Sequence, residues 1–187
     1  MISLEELDVI NSLTQDELRE IAPLFIQESY RKKDLIFSEG DPPKWLYFVL
    51  EGEVKITKLS HEGKEIILEL IQPGGFFGAV AVIRGFPYPA NAVAKENATV
   101  MKLSKADLDK ILERFPSLMR DFMMNLGDRI KESRETTKNI ALDKVHTRIA
   151  ALLLKLADQV GENTSEGIVL HLKLTKQDIA EMVGTTV

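Results

Sequence analysis

The chain has 187 residues, of which 24 are Lys or Arg and 29 are Asp or Glu, so its net charge is −5 with neutral histidines. Charged residues make up 28% and hydrophobic residues 44% of the chain, which is ordinary for a globular protein and excludes general disorder. The absence of cysteine excludes disulfides, thiol nucleophiles and cysteine-ligated zinc or iron–sulfur sites. No apolar run approaches the ~20 residues that span a bilayer, and the N-terminal residues lack a basic region, so we expect a cytoplasmic protein with no membrane partner.

Two short helical patterns open the chain. The first is predicted over residues 4–13, where apolar residues follow helical spacing at Leu4, Leu7, Ile10 and Leu13. Thr14 followed three residues later by Glu17 matches a capping box, in which each side chain satisfies a backbone N–H of the other residue. We therefore expect a second helix to begin after Thr14.

Residues 25–103 change from helical periodicity to alternation. Apolar runs, such as those at 45–50 and 66–70, are separated by glycines at intervals of 11 or 12 residues: Gly40, Gly52, Gly63, Gly74 and Gly85. Glycine suits turns because it tolerates positive φ. Short strands with turn signals about every 8–12 residues predict a β-sandwich or jelly roll. The single tryptophan, Trp45, is predicted to belong to its core.

A long helix is predicted after this region. Ser104 should cap a short helix that precedes it, and Pro116 suits its first turn. Along the long helix, residues at alternating spacings of four and three form a heptad seam, namely Met119, Met123, Leu126, Ile130, Ser133, Thr137 and Ile140. We interpret the seam as a parallel dimer interface whose polar half faces a ligand. The alternative is that the seam packs on the chain's own sheet.

The C-terminal stretch is the most informative. A third helical pattern over residues 145–156 is followed by a predicted polar loop at 161–167 and a predicted strand at 168–174. Thr175 with Asp178 then predicts a capped helix that ends at Gly184, after which Thr185 and Thr186 would cap another helix.

This pattern predicts the first helix and the turn of a helix-turn-helix, whose second helix enters the DNA major groove. The alternative is an ordinary capped helix that ends in glycine. We expect the motif to be incomplete, since the sequence stops at Val187, where the recognition helix would start.

These features together resemble the Crp/Fnr (cyclic-AMP receptor/fumarate–nitrate regulator) family of bacterial transcription factors. The matching stretches are LEGEV at 50–54, EGKEIIL at 62–68, GGFFG at 74–78, RIA at 148–150 and LTKQDIA at 174–180. The resemblance implies an α+β fold: an N-terminal double-stranded β-helix (jelly roll) with flanking helices, a long dimerisation helix and a C-terminal winged helix-turn-helix. The implied domains are a cyclic-nucleotide-binding-like effector roll at 1–116, the dimerisation helix at 117–140 and a partial DNA-binding domain at 141–187.

The resemblance also implies a function. A transcriptional regulator of this kind binds double-stranded DNA as a homodimer, responds to a small-molecule effector and has RNA polymerase as a further partner. The sequence contains no Walker loop, GxGxxG, HExxH or GxSxG motif, so we expect no enzymatic activity. A ligand-binding module without DNA function is the alternative.

The effector segment departs from the family's cyclic-nucleotide binders. Those proteins place a Glu on the ribose, and an Arg and a Ser or Thr on the cyclic phosphate; the matching positions here are Ala79, Tyr88 and Pro89. A buried phosphate needs such partners, so we expect an effector other than a cyclic nucleotide. The remaining pocket candidates in this segment are Gly78, Arg84 and Ala90, although Arg84 has the alternative of a solvated loop charge.

The long helix adds two pocket candidates. Aligned without gaps from Pro116, Ser133 and Arg134 fall where the resemblance implies a Thr-Ser pair that reaches the nucleotide base. Ser133 keeps a hydroxyl, and Arg134 could contact an anionic effector. The alternative is that Arg134 lies on a solvated helix face between acidic neighbours.

Haem is an alternative effector cofactor, since one branch of the family binds it. The absence of cysteine excludes the iron–sulfur cluster of another branch. Haem iron needs axial His, Met, Cys or Tyr ligands. The residues considered are His61, His146, His171, Met123, Met124 and Tyr88, each of which has a simpler structural explanation. No other metal site is predicted, and a small organic effector of unknown identity remains open.

The DNA-contact candidates lie at the C-terminus. Lys176 matches a phosphate-binding Arg of the family and Thr186 matches a Ser with the same role; a charge and a hydroxyl at helix N-termini suit phosphate oxygens. The other candidates are Thr175, Gln177 and Thr185. Residues 131–187 hold eight basic and eight acidic residues, so the acidic excess lies in the rest of the chain.

Overall fold

The computed structural model of the chain describes residues 7, 9–10, 12–60, 63, 65–165, 167–172 and 174–185. The chain divides into two compact units, Met1–Gly127 and Asp128–Val187. Among the described residues, no helix combines the length and the apolarity that crossing a membrane requires. The three-part division expected from the sequence, with boundaries after residues 116 and 140, remains a prediction.

The first unit contains two four-stranded antiparallel sheets. One sheet has the order β1-β8-β3-β6 and the other β2-β7-β4-β5. The strands are β1 (Ile26–Tyr30), β2 (Leu35–Phe37), β3 (Trp45–Glu51), β4 (Val54–Leu59), β5 (Glu65–Ile71), β6 (Phe76–Phe77), β7 (Asn91–Ala94) and β8 (Ala98–Ser104). This arrangement confirms the predicted jelly roll.

The predicted turn glycines all have the backbone conformation that only glycine adopts readily. Their φ angles are 92°, 76°, 79°, 91° and 76° at Gly40, Gly52, Gly63, Gly74 and Gly85. An L-residue with a Cβ is strained in this left-handed region. The regular glycine spacing therefore marked real turns of the roll.

Helices flank the roll. They are α1 (Gln15–Ile21), α2 (Ala79–Arg84), α3 (Lys105–Arg114) and α4 (Ser117–Leu142), the last of which begins in the first unit. The capping box at the start of α1 is confirmed, since the Glu17 amide donates to the Thr14 hydroxyl and the Thr14 amide donates to the Glu17 carboxylate at 2.8 Å. Ser104 caps α3 as predicted by accepting the Asp107 amide at 3.1 Å.

The segment before α1 differs from the predicted helix. The Ile10 amide donates to the Leu7 carbonyl at 3.1 Å, and the Leu13 amide donates to the Ile10 carbonyl at the same distance. The described residues of this segment thus form successive turns, which bury the same three side chains that a helix would bury. Leu4 lies outside the described residues.

Aromatic contacts connect the layers of the first unit. Phe37 on β2 lies 5.6 Å from Tyr47 on β3, ring centroid to centroid, and so links the two sheets. Phe76 on β6 meets Phe122 on α4 at 5.1 Å in an edge-to-face contact. Trp45 is partly buried against this core, as expected.

The second unit contains the rest of α4, then α5 (Val145–Val160), a hairpin of β9 (Gly161–Thr164) and β10 (Gly167–Leu170), and α6 (Lys176–Val183). The polar loop predicted at 161–167 is wrong, because residues 161–164 form a strand. Their side chains are largely exposed, so backbone pairing with β10 rather than hydrophobic alternation defines the strand. The predicted strand at 168–174 ends at Leu170.

Candidate functional site

The effector segment begins with a tight turn at Gly78. This residue has φ 84° and precedes α2, which ends at Gly85 with φ 76°. A Cβ on Gly78 would lie 3.1 Å from the Trp45 carbonyl oxygen and 3.2 Å from Cε1 of Tyr88. The start of α2, the start of β3 and the Tyr88 ring are therefore packed directly against one another.

Tyr88 is a buried anchor in this packing. Its hydroxyl donates to the Trp45 carbonyl at 2.6 Å and accepts the Trp45 amide at 3.0 Å. Its backbone amide donates to the Asp41 carbonyl, and its carbonyl accepts the Gly40 amide, both at 2.9 Å. The proton of the hydroxyl and one of its lone pairs are thus taken by the Trp45 backbone.

The rings around Tyr88 form an apolar cluster inside the roll. Phe37 stacks on Tyr88 with 3.8 Å between centroids, and Phe77 stacks on Tyr47 at 5.0 Å. Burial raises the pKa of the Tyr47 and Tyr88 hydroxyls, so both remain neutral at physiological pH. Neutral, buried rings do not supply the charge that a buried anion needs.

The other candidates in this segment differ in exposure. Ala79 and Ala90 are buried, whereas Arg84 and Pro89 are exposed. Arg84 is the only cation between residues 78 and 90, and it lies at the C-terminal end of α2. The segment therefore brings together Gly78, Tyr88 and the Trp45 backbone, which sequence analysis did not associate with the site.

Ser133 and Arg134 lie on α4 in the second unit and are both exposed. The Ser133 carbonyl accepts a 2.9 Å hydrogen bond from the Thr137 hydroxyl, one turn further along the helix. Their role beside an effector remains a prediction.

The seam of α4 presents an exposed apolar surface. Met119, Met123 and Ile130 are 41%, 66% and 55% exposed in the single chain, and Leu126 is partly buried. Ser133 and Thr137 continue the seam with exposed hydroxyls, and the side chain of Ile140 lies outside the described residues. Contiguous apolar exposure of this kind is typical of an interaction surface.

The residues considered for haem differ in their exposure and in what their side chains contact. His146 is exposed, His171 is paired with Glu162 at 2.8 Å on the hairpin, and His61 lies outside the described residues. The Tyr88 hydroxyl is engaged by Trp45. In the part of the chain that the structure describes, no group of three or more His, Cys, Asp or Glu side chains is placed to hold a metal ion.

The nucleic-acid candidates surround the start of α6. Asp178 accepts the Thr175 amide and hydroxyl, each at 2.8 Å, and its own amide donates to the Thr175 hydroxyl at 3.1 Å, so the predicted cap is confirmed. Gly184 ends the helix with φ 67°, and the Thr185 amide donates back to the Ala180 carbonyl at 2.8 Å. Thr186 lies outside the described residues.

Side chains on α6 separate into an exposed and a packed face. Lys176 and Gln177 are exposed, while Ala180 and Val183 are buried and the helix packs against α5. Gln177 donates its amide to Glu181 at 2.7 Å. Sequence analysis missed the burial of Glu181, since an acidic residue at that position reads as solvated. Lys176 thus lies on the exposed face, at the N-terminus of the helix.

Comparisons with known proteins agree with both halves of the chain. The family described as "Cyclic nucleotide-binding domain" matches residues 27–115, and the family described as "Crp-like helix-turn-helix domain" matches residues 147–187. The "Global nitrogen regulator" of Synechocystis sp. is 28% identical over 187 residues, covering 94% of this chain and 82% of that protein. The "cAMP-activated global transcriptional regulator CRP" of Haemophilus influenzae is 26% identical, covering 97% and 84%.

Solved structures show the same fold. A CooA mutant from Carboxydothermus hydrogenoformans has a TM-score of 0.78 at 24% identity, covering all of this chain and 80% of that one. FixK2 from Bradyrhizobium japonicum has a TM-score of 0.76 at 22% identity, covering 87% and 78%. The relatives in both sequence comparisons carry the names of regulators rather than of enzymes.

Proposed function

The chain belongs to the Crp/Fnr family of DNA-binding transcriptional regulators, and on that premise we propose that it acts as a homodimer controlled by an effector other than a cyclic nucleotide. Its roll is the cyclic-nucleotide-binding-like sensory domain, and residues 147–187 belong to the Crp-like helix-turn-helix domain. RNA polymerase is the further partner that such a regulator would contact. We propose no enzymatic role.

The Tyr88 hydroxyl is the observation that carries the effector proposal. Its proton is donated to the Trp45 carbonyl, it accepts the Trp45 amide, and its ring is stacked on Phe37. The Ala79 side chain has no polar atom, and Pro89 lacks a backbone N–H. A cyclic phosphate placed beside these residues would lose its hydration without gaining a charge partner, which is unfavourable. A neutral or largely apolar effector suits the aromatic cluster better.

The effector test is thermal unfolding with and without cyclic AMP. A ligand at 100 times its Kd stabilises the folded state by about 2.7 kcal/mol, which is readily measured. We expect no change in Tm with cyclic AMP, whereas the Haemophilus influenzae regulator should respond as the positive control. A rise in Tm for this protein would overturn the proposal.

The native effector can be sought by the same measurement. Small-molecule fractions from the native host should include one that raises Tm and changes the affinity for DNA. A Soret band in protein purified from that host would show bound haem and would identify haem, rather than another small organic molecule, as the effector cofactor. If the affinity for DNA is the same with every fraction, the proposal that an effector controls DNA binding fails, while the proposal that the protein binds DNA is unaffected.

The homodimer proposal rests on the exposed seam of α4. Burying an apolar side chain contributes ~25 cal/mol per Å² removed from water, so a continuous apolar seam favours pairing with a second copy. In a parallel pair Met119, Met123, Leu126 and Ile130 would meet their counterparts. The hydroxyl-bearing half would be less stabilising and more adaptable.

Two adjacent methionines give a matched test of the dimer. Met123 and Met124 are 66% and 65% exposed in the single chain, but only Met123 lies on the seam. Met123→Glu should convert the protein to a monomer in sedimentation experiments, and Leu126→Glu should do the same. Met124→Glu introduces the same charge off the seam and should leave the dimer unchanged. An unaltered mass for both seam variants would exclude this face.

Control of DNA binding would follow from a shift between populations. We propose that effector binding changes how the paired α4 helices pack. The residues near 139–143 then carry the change to the helix-turn-helix units. Only one arrangement would match half-sites one DNA turn apart, and a ligand that prefers this arrangement increases its population.

A further inference from the structure

We propose that Met123, together with Met119, is an oxidant-sensitive modification site, and that its conversion to methionine sulfoxide by a peroxide holds the protein in the monomeric state. This inference rests on the proposed homodimer. It adds a chemical input that acts directly on the seam of α4, separate from any effector in the roll.

Methionines are concentrated on α4. The chain has six methionines and no cysteine, and three of the six lie between residues 119 and 124. Met119, Met123 and Met124 are 41%, 66% and 65% exposed. By contrast, Met101 and Met182 are partly buried. Among the described residues, these three thioethers are therefore the most exposed sulfur atoms that an oxidant can reach.

The helix geometry separates the three residues by role. Met119 and Met123 are four residues apart and lie on the same face, in line with Leu126. Met124 lies about 100° further round the helix and stays outside the seam. A dimer would cover Met119 and Met123 but leave Met124 in water. Met124 is thus an internal reference with almost the same exposure in the isolated chain.

The chemical step is a two-electron oxidation of sulfur. A lone pair on the Met123 sulfur attacks the terminal oxygen of hydrogen peroxide. An S–O bond forms as the O–O bond breaks. The hydroxide that leaves then takes the proton from the transferred oxygen and becomes water. Sulfur is oxidised and peroxide is reduced. The product is a polar sulfoxide, and methionine sulfoxide reductases can reverse the change.

The consequence for the seam follows from burial. A sulfoxide oxygen would have to leave water when the helices pair, with no donor supplied by neighbours such as Leu126 and Ile130. Oxidation should therefore weaken pairing. Because the dimer covers Met123, the oxidant reaches it mainly in dissociated chains, and each oxidised chain is withdrawn from the dimer pool.

The test compares the oxidation rates of the two adjacent residues. The intact protein is treated with hydrogen peroxide at concentrations below and above its dimer Kd, and peptides are analysed by fragmentation mass spectrometry. We expect oxidation of Met123 to slow by about tenfold at the higher protein concentration, in proportion to the dissociated fraction, while the rate at Met124 stays constant. Equal slowing at both residues, or at neither, would overturn the inference.

Two variants isolate the effect on assembly, each compared with its own untreated state. The double variant Met119→Leu, Met123→Leu should keep its sedimentation mass after peroxide treatment. Met124→Leu should still dissociate. If protein carrying the sulfoxide at Met123 remains dimeric, the oxidation inference fails but the proposed homodimer stands. If untreated protein is monomeric and Met123→Glu changes nothing, the proposed homodimer itself fails.

Discussion

Two glycines with nearly the same φ differ in how closely other atoms approach them, and so in how much a substitution should destabilise the fold. Gly52 and Gly63 have φ angles of 76° and 79°. A Cβ on Gly52 would lie 2.2 Å from the Asn97 carbonyl oxygen, whereas no atom of the described residues lies within 4 Å of a Cβ on Gly63. Both substitutions would strain the backbone, but only one would force two segments of the roll apart.

Gly63→Ala should therefore lower the free energy of unfolding by about 1–2 kcal/mol, the cost of the left-handed conformation. Gly52→Ala should lower it further, by a total of about 2–5 kcal/mol, since displaced backbone adds an overpacking term. Urea denaturation of the two variants measures the difference. Equal losses would mean that the turn after Gly52 relaxes freely.

Glu28 gives the roll a defined response to acid. The Lys102 ammonium donates to its carboxylate at 2.7 Å, and this hydrogen bond holds the pKa of Glu28 below its usual range. A carboxyl with a lowered pKa stabilises the folded state above its unfolded pKa, ~4.3. That contribution disappears as the pH falls through the folded pKa.

The Glu28→Gln variant should accordingly be less stable than the parent at pH 7 and equally stable at strongly acidic pH. The pair is partly exposed, so the difference at pH 7 should stay below ~1 kcal/mol. Thermal unfolding at both pH values measures it, with Glu51→Gln at an exposed position as control. A difference that persists unchanged in acid would assign the effect to packing.

Individual contacts in the site were beyond sequence analysis. The Tyr88–Trp45 pair spans 43 residues and uses backbone atoms of Trp45, so neither residue type nor spacing predicts it. A nearly buried ion pair joins Glu53 and Lys95, and Gln72 donates to Glu53 at 2.9 Å; these residues are likewise distant in sequence. In contrast, the caps at Thr14, Ser104 and Thr175 were predictable, because their partners lie three residues away.

At the scale of elements, α1 and α6 begin with the same reciprocal cap. Thr14 pairs with Glu17 at one helix, and Thr175 pairs with Asp178 at the other. An N-cap hydroxyl is worth ~1 kcal/mol of stability. Replacing the capping threonine by alanine at each helix therefore distinguishes an effect on protein stability from an effect on DNA binding.

Thr14→Ala and Thr175→Ala should each cost about 0.5–2 kcal/mol in chemical denaturation. Only Thr175→Ala should also weaken binding to DNA, because α6 belongs to the helix-turn-helix. Thr175→Ser should restore both properties. Comparable loss of DNA binding in the Thr14 variant would show that global stability, not the start of α6, controls the interaction.

The elements were predicted best where side-chain pattern and backbone agree. The residue runs that form β3, β4 and β5 were visible in the sequence, as were the long seam and the capped α6. Strand β9 was missed because its residues, Gly-Glu-Asn-Thr, are polar and mostly exposed. Its pairing with β10 depends on backbone hydrogen bonds, which hydropathy does not report.

Charge is unevenly divided over the whole molecule. Residues 128–187 carry nine basic and nine acidic side chains, so the entire net charge of −5 belongs to residues 1–127. We therefore expect attraction to DNA to depend on a small number of well-placed cations, of which Lys176 is the candidate. Each phosphate contact contributes about −0.9 to the slope of log K against log salt.

Lys176→Ala should reduce the magnitude of that slope by about 0.9 for each subunit bound and weaken binding to all duplex sequences alike. Titration of a mixed-sequence duplex at several salt concentrations measures the slope. Lys58→Ala, on strand β4 of the roll, serves as the control and should leave it unchanged. If Lys176→Ala and Lys58→Ala give the same slope, Lys176 does not contact a phosphate.

The order of parts along the chain was predictable at this largest scale. Glycine spacing indicated the roll, heptad spacing indicated the long helix, and the family resemblance joined them to a helix-turn-helix. The identity of the effector was not predictable from the sequence, because it depends on the shape and polarity of an interior that several strands form together.

The double hydrogen bond between the Tyr88 hydroxyl and the Trp45 backbone also constrains how this lineage can change. Replacing Tyr88 by arginine, as a step toward phosphate recognition, would remove the hydroxyl that pairs the Trp45 amide and carbonyl at the start of β3. The intermediate would lose stability before it gained a ligand. A charge at position 88 therefore needs compensating substitutions near Trp45 before it can serve a ligand.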